Sequence, residues 1–219
     1  MSRRDLLAAN DLRFLSVAST LSPGDWAAPS LCDAWTNHDV LAHLVIGYRT
    51  RLGVMAAEMA RRRGSFDRAN TRLARALAVT RGPADLLDDF AHLVDRPRGM
   101  GRYFPRSLLL GDHVTHELDI LLALDREPAI PADALKAVLN TQVTLPNPFV
   151  PAYFNGRGVR LIATDADWTH GDDGPTVSGR AADLVSVLGD RPMALPRLSG
   201  VGVTVLSSRV LSRRTRTPA

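Results

Sequence analysis

The chain is poor in two residue types that usually carry chemistry. Among 219 residues there is one cysteine, Cys32, and one lysine, Lys136. A single thiol excludes an internal disulfide and any zinc site built from several cysteines. Cys32 reads as a small residue in the loop before a helix, with a nucleophilic role as the alternative. Aromatic residues are only 5% of the chain, and none interleaves with the basic runs at 61–63 and 209–216. Without rings to stack on bases, the net charge of +4 does not point to nucleic acid, and no nucleic-acid partner is expected. Arg61-Arg62-Arg63 suits the C-terminal end of a helix, where cations meet the negative end of the macrodipole. No apolar run approaches the ~20 residues of a membrane span, so no membrane partner is expected. Met1-Ser2-Arg3-Arg4-Asp5 leads into an amphipathic segment without the apolar core of a signal peptide, and a cytoplasmic location is expected. The arginine-dominated basic set and abundant alanine fit a GC-rich genome. Hydrophobic residues reach 45%, enough for a real core.

Apolar positions at helical spacing (Leu6, Leu7, Leu12, Leu15, Val17) predict a helix over 4–20. Ser22-Pro23-Gly24-Asp25 should break it, and a loop should follow to Asp33. Thr36 or Asn37 can cap the next helix, with Asp39 in its first turn and an end near Arg62. Further helices are predicted over 68–79, over 84–95 with Pro83 at the start, and over 106–124. Another spans 132–142, before a proline-rich stretch at 145–151 that cannot be helical. The pattern then changes: strands at 158–164, 175–178 and 201–206, and a helix from Gly179 to Leu188 ending at Gly189. The expected class is α+β, with a helical bundle over residues 1–143 and a small α/β domain over 144–219.

Two segments stand out. Trp35-Thr36-Asn37-His38-Asp39-Val40-Leu41-Ala42-His43-Leu44 and Asp112-His113-Val114-Thr115-His116-Glu117-Leu118-Asp119 each place histidine on an otherwise apolar helix face. Imidazoles taken into an apolar interior need partners, and a shared divalent metal is one. Asp112 sits one turn before His116, about 40° away around the axis at about 100° per residue, so the pair can reach one ion. His113 lies about 60° to the other side and is a further candidate. Two histidines and a carboxylate leave a position open, where a metal lowers the pKa of a bound water or thiol. Asp119 is placed to orient His116. Trp26 and Trp35 read as plugs at the bundle end, and Asp165, Asp167 and Trp168 as a turn. Arg180 and Arg191, flanking the 179–188 helix, can grip a carboxylate through two nitrogens.

These residues resemble a known family. Trp35-Thr36-x-x-Asp39-Val40-Leu41-Ala42-His43-Leu44 is similar to the N-terminal signature of the mycothiol-dependent maleylpyruvate isomerase family, within the DinB-like superfamily. Asp112-x-x-x-His116-x-x-Asp119-Ile120 with Ala123-Leu124 resembles its second signature. Ala163-Thr164-Asp165, Trp168, Gly174-Pro175, Val177-Ser178-Gly179 and Ala182-Asp183-Leu184 resemble its C-terminal domain. The resemblance implies a DinB-like four-helix bundle, a divalent metal (usually zinc) on His43, Asp112 and His116, and mycothiol as thiol cosubstrate. It puts Glu where this chain has Asp112, one methylene shorter, and His113 would be the substitute. It implies a functional arginine in the C-terminal domain, with Arg191 first and Arg180 and Arg209 behind it.

The expected function is a metal-dependent, mycothiol-using isomerase or S-transferase acting on a small electrophile, as monomer or homodimer. The alternative is a catalytically inactive module that binds a small ligand or a protein. A regulatory partner of protein or nucleic acid is disfavoured by the lack of cysteine ligands and stacking aromatics.

Overall fold

The computed structural model describes residues 3–147 and 150–214. Pro148 and Phe149 of the proline-rich stretch, Met1 and Ser2, and Arg216 of the basic tail lie outside the described residues. The chain divides into two compact units, Met1–Arg126 and Glu127–Ala219.

The first unit holds α1 (Arg3–Ala18), α2 (Pro23–Ala27), α3 (Asn37–Arg49), α4 (Leu52–Arg61), α5 (Phe66–Thr80), α6 (Pro83–Val94), a 3₁₀ turn (Gly99–Arg102) and α7 (Arg106–Ala123). Helices α1, α6, α3 and α7 close a ring in that order, each packed on its two neighbours, while α5 covers α3 and α4 covers α5. Phe14, Leu41, Leu44, Tyr48, Leu86, Phe90, Leu110 and Leu118 fill the centre. The Phe90 ring meets Phe14 edge-on at 5.9 Å and Tyr48 stacked at 5.5 Å.

Local chemistry sets the starts. The Thr36 hydroxyl accepts the Asp39 amide while the Asp39 carboxylate accepts the Thr36 amide, a reciprocal cap that fixes the register of α3. Ser65 caps α5, and Pro83 opens α6 after Gly82. Two expectations need correction. Ser22 and Asp25 do not merely break the chain: they form a second reciprocal cap on the short α2. The helix expected to run to Arg62 stops at Arg49 and restarts at Leu52. The carbonyls of Tyr48 and Thr50 are taken by the amides of Arg98 and Met100, so the C-terminal end of α3 is closed by a distant loop. Gly99, at φ +52, allows this approach, because a Cβ there would lie 2.1 Å from the Thr50 oxygen.

The second unit holds α8 (Ala132–Thr144), α9 (Ala152–Asn155), β1 (Arg160–Ala163), β2 (Thr169–His170), β3 (Thr176–Gly179), α10 (Ala181–Leu188), a 3₁₀ segment (Pro192–Arg197) and α11 (Val203–Arg214). The sheet order is β2-β1-β3. Leu161 pairs with His170 antiparallel and with Val177 parallel. The division falls at Arg126/Glu127 rather than at 143/144 because α8 packs on α10 and α9. The strand expected at 201–206 is a helix instead. Gly200, at φ +104, turns the chain so that the Gly202 amide reaches the Thr176 carbonyl at 2.8 Å. Leu206 and Val210, one turn apart, are then both buried. Burial at i, i+4 outweighs the β-branched alternation of Val201, Val203 and Val205. β2 escaped the sequence reading because it is two residues long. With a bundle followed by a small α/β unit, the expected class holds. No helix among the described residues is long and apolar enough to cross a membrane.

Candidate metal centre

The cap at Thr36 places His43 about two turns into α3, on the face that buries Val40 and Leu44. On α7, Asp112 and His116 share a face one turn apart. The structure brings all three together: one potential ligand atom from each lies within 4.8 Å of the others. His43 Nε2 is 3.3 Å from one Asp112 oxygen and 3.5 Å from the other. His116 Nε2 is 3.6 Å from Asp112 Oδ1. The imidazoles meet edge to face with centroids 4.5 Å apart. Although aspartate is shorter than the glutamate the resemblance implies, its carboxylate sits between both rings.

The outer nitrogens explain why the inner ones converge. His43 Nδ1–H donates to Asn70 Oδ1 on α5 at 3.1 Å, and His116 Nδ1–H donates to Asp119 Oδ2 at 2.9 Å. A neutral imidazole whose proton is held outward presents a bare Nε2 inward. Two such lone pairs and a carboxylate face one small space, and all three are acceptors. Such a group needs a shared positive charge, either protons or a divalent cation, and this donor set fits a metal. Burial, then the nearby His43 ring, pushes the His116 pKa down, which favours a neutral ligand. Desolvation opposes charge on Asp112, but the positive charge that His43, His116 and His113 carry when protonated outweighs it and holds the carboxyl well below the usual range. Trp35 covers the pair, with its ring 5.3 Å from His43 and stacked on His116 at 6.1 Å. It is therefore a wall of this cluster.

His113 does not join the cluster. Its Nδ1–H donates at 2.7 Å to Asp11, whose other oxygen accepts the Tyr48 hydroxyl at 2.5 Å. Beside them Arg13 grips the fully buried Glu117 through both terminal nitrogens. Among the remaining histidines, His38 and His92 donate to the carbonyls of Arg81 and Asp88. His170 stacks on Trp168. Arg180 pairs with Glu127 and Asp165, and Arg209 binds the carbonyls of Asn155 and Arg157. Asp165 also accepts the Ala181 amide at 2.8 Å, as a turn residue does. Arg191 donates to the Gly189 carbonyl at 2.5 Å, just after the left-handed Asp190 (φ 74). Asn70, Asp11 and Tyr48 were not foreseen. Asn70 carries no sequence signal beyond being a polar residue inside a helix.

A helical bundle with a His/Asp/His cluster between two of its helices, followed by a small α/β unit, defines the class. Residues 7–106 match the family described as the mycothiol maleylpyruvate isomerase N-terminal domain. The likeness that residues 35–44 led us to expect is therefore found over residues 7–106. The match includes His43 and ends before Asp112. Two solved structures share the fold: the mycothiol-dependent maleylpyruvate isomerase and a histidine-to-alanine mutant of it. Each is 15% identical, covers 91% of both chains and has a TM-score of 0.55. At this identity the likeness is one of fold. No curated protein matches the chain.

Proposed function

We propose that the chain is a metal-dependent isomerase or S-transferase that uses mycothiol on a small electrophilic acid. The observation that carries this reading is the convergence of His43, Asp112 and His116 in a unit whose residues 7–106 match this family. These three residues would hold the ion, with zinc the best fit to two imidazoles and one carboxylate. When bound, the metal supplies a Lewis acid that lowers the pKa of a coordinated thiol. The chain's own residues do the rest. Asn70 and Asp119 hold the imidazole protons outward and fix both ring planes. Trp35 shields the rings from water. In the second unit, Arg191 is the arginine we assign to the substrate carboxylate, on the strength of the resemblance. The mycothiol-dependent maleylpyruvate isomerase structures with this fold support mycothiol and an unsaturated acid as the first pair to try.

The test is metal content and mycothiol-dependent isomerisation of maleylpyruvate, measured for the native protein and for His43→Ala/His116→Ala. Stoichiometric metal and turnover, both lost in the variant, would support the proposal. A folded native protein that takes up no zinc, cobalt, nickel or manganese would overturn it. Metal without thiol chemistry on any electrophile would favour the second reading, a binding module, for which the shorter Asp112 is the motivating feature.

A further inference from the structure

His116 has a second edge that the proposed function leaves to orientation alone. Its Nε2 faces Asp112, and its Nδ1 faces Asp119. Cys32 lies close by: Cys32, His116 and Asp119 each offer a ligand atom within 4.8 Å of the others. The sole thiol of the chain is thus beside an imidazole and a carboxylate that is only 1% exposed.

The loop that carries Cys32 is tied in place. The Leu31 amide donates to the Asp119 carbonyl at 3.1 Å, fastening the loop to α7. The Cys32 amide donates to Ser30 Oγ, and the Trp35 amide to the Cys32 carbonyl, both at 3.1 Å. Ala34 holds a left-handed conformation at φ 61, and its carbonyl is gripped by Arg75. A non-glycine residue in that region persists only where its surroundings enforce it. The backbone that carries Cys32 is therefore set before any ligand arrives, and the residue is only half-buried.

We propose that Cys32, His116 and Asp119 form a second cation site, for a thiophilic divalent metal, across the His116 ring from the His43/Asp112 side. Its donor set differs in kind. One thiolate, one imidazole and one carboxylate favour softer ions than two imidazoles and a carboxylate do. Binding releases the Cys32 thiol proton to solvent, while the His116 proton moves from Nδ1 to Nε2, where Asp112 can accept it, and leaves Nδ1 free for the metal. The site does not depend on the first being occupied, because only His116 is common to them.

Cobalt(II) and cadmium(II) titration of the full chain tests this. Because Cys32 is the only cysteine, any thiolate-to-metal charge-transfer band must come from it. The expected result is a saturable band in the native protein that persists in His43→Ala/Asp112→Asn and is lost in Cys32→Ser. It is weakened in Asp119→Asn, an isosteric change whose folding circular dichroism can verify. Absence of the band at saturating metal would overturn the proposal. So would a band of unchanged affinity in Asp119→Asn and His116→Ala, which would make Cys32 a solitary ligand. The His43→Ala/Asp112→Asn variant separates this inference from the proposed function, since it removes the first cluster and spares the second.

Discussion

Replacing Arg13 by Met should destabilise the first unit more than almost any other single change. Glu117 has no exposed surface, whereas the Arg13 side chain is 18% exposed and holds the carboxylate with both terminal nitrogens. Burial already pushes the Glu117 pKa up, and Arg13 is the main influence opposing it. Removing the guanidinium leaves an interior carboxylate that must stay unpaired or take up a proton. Breaking a buried pair from one side costs about 3–5 kcal/mol. With a urea m-value of about 2 kcal/mol per M, the midpoint should fall by about 2 M. Replacing both partners, Arg13→Met with Glu117→Met, removes the desolvated charge altogether and should recover most of the loss. Urea melts followed by circular dichroism measure all three proteins. A single Arg13→Met variant within about 0.5 kcal/mol of native, as an ordinary surface substitution would be, would refute the reasoning.

Asp183 gives a pH dependence. Burial raises its pKa, with Arg197 and Arg180 pulling the other way. A carboxyl raised in the folded state adds stability below its unfolded pKa of about 3.9 and loses it as pH climbs through the folded value. Stability of the second unit should therefore decline over that window, and Asp183→Asn should flatten the curve; an unchanged slope in the variant would exclude this assignment. Asn70→Ala should weaken zinc affinity about 10- to 100-fold by freeing the His43 ring, as competition with a chelator would show. Thr36→Ala should cost about 1 kcal/mol in thermal or urea melts, through loss of the cap on α3.

The legible parts of this chain were those decided locally. Thr36 with Asp39, and Pro83 after Gly82, mark helix starts that neighbouring residues enforce, and the structure has them. The pairing of His43 with Asp112 and His116 was readable because two helices each carried a polar residue on an apolar face. What stayed hidden was decided at a distance. The stop at Thr50 depends on amides from the 98–100 loop, and nothing near Thr50 announces it. The helical ending at 203–214 depends on Leu206 and Val210 finding a covered surface. The withdrawal of His113 toward Asp11 needs α1 in place, and periodicity alone cannot distinguish it from His116.

The interruption after Arg49 sends α4 back against α5, where Met55, Ala69 and Met100 make a small core of their own, flanked by Met59, Phe66, Leu73 and Phe104. That core grips one side of α5, and Asn70 is the residue next to Ala69 in sequence. A patch of methionines with no chemistry of its own thus has a lever on the His43 imidazole. Rigid packing there would roll α5 on any volume change and carry Asn70, the proton acceptor of the His43 ring, with it. Thioethers deform where branched side chains would wedge. The cluster works as a damper, letting this flank drift through substitutions while the imidazole keeps its aim.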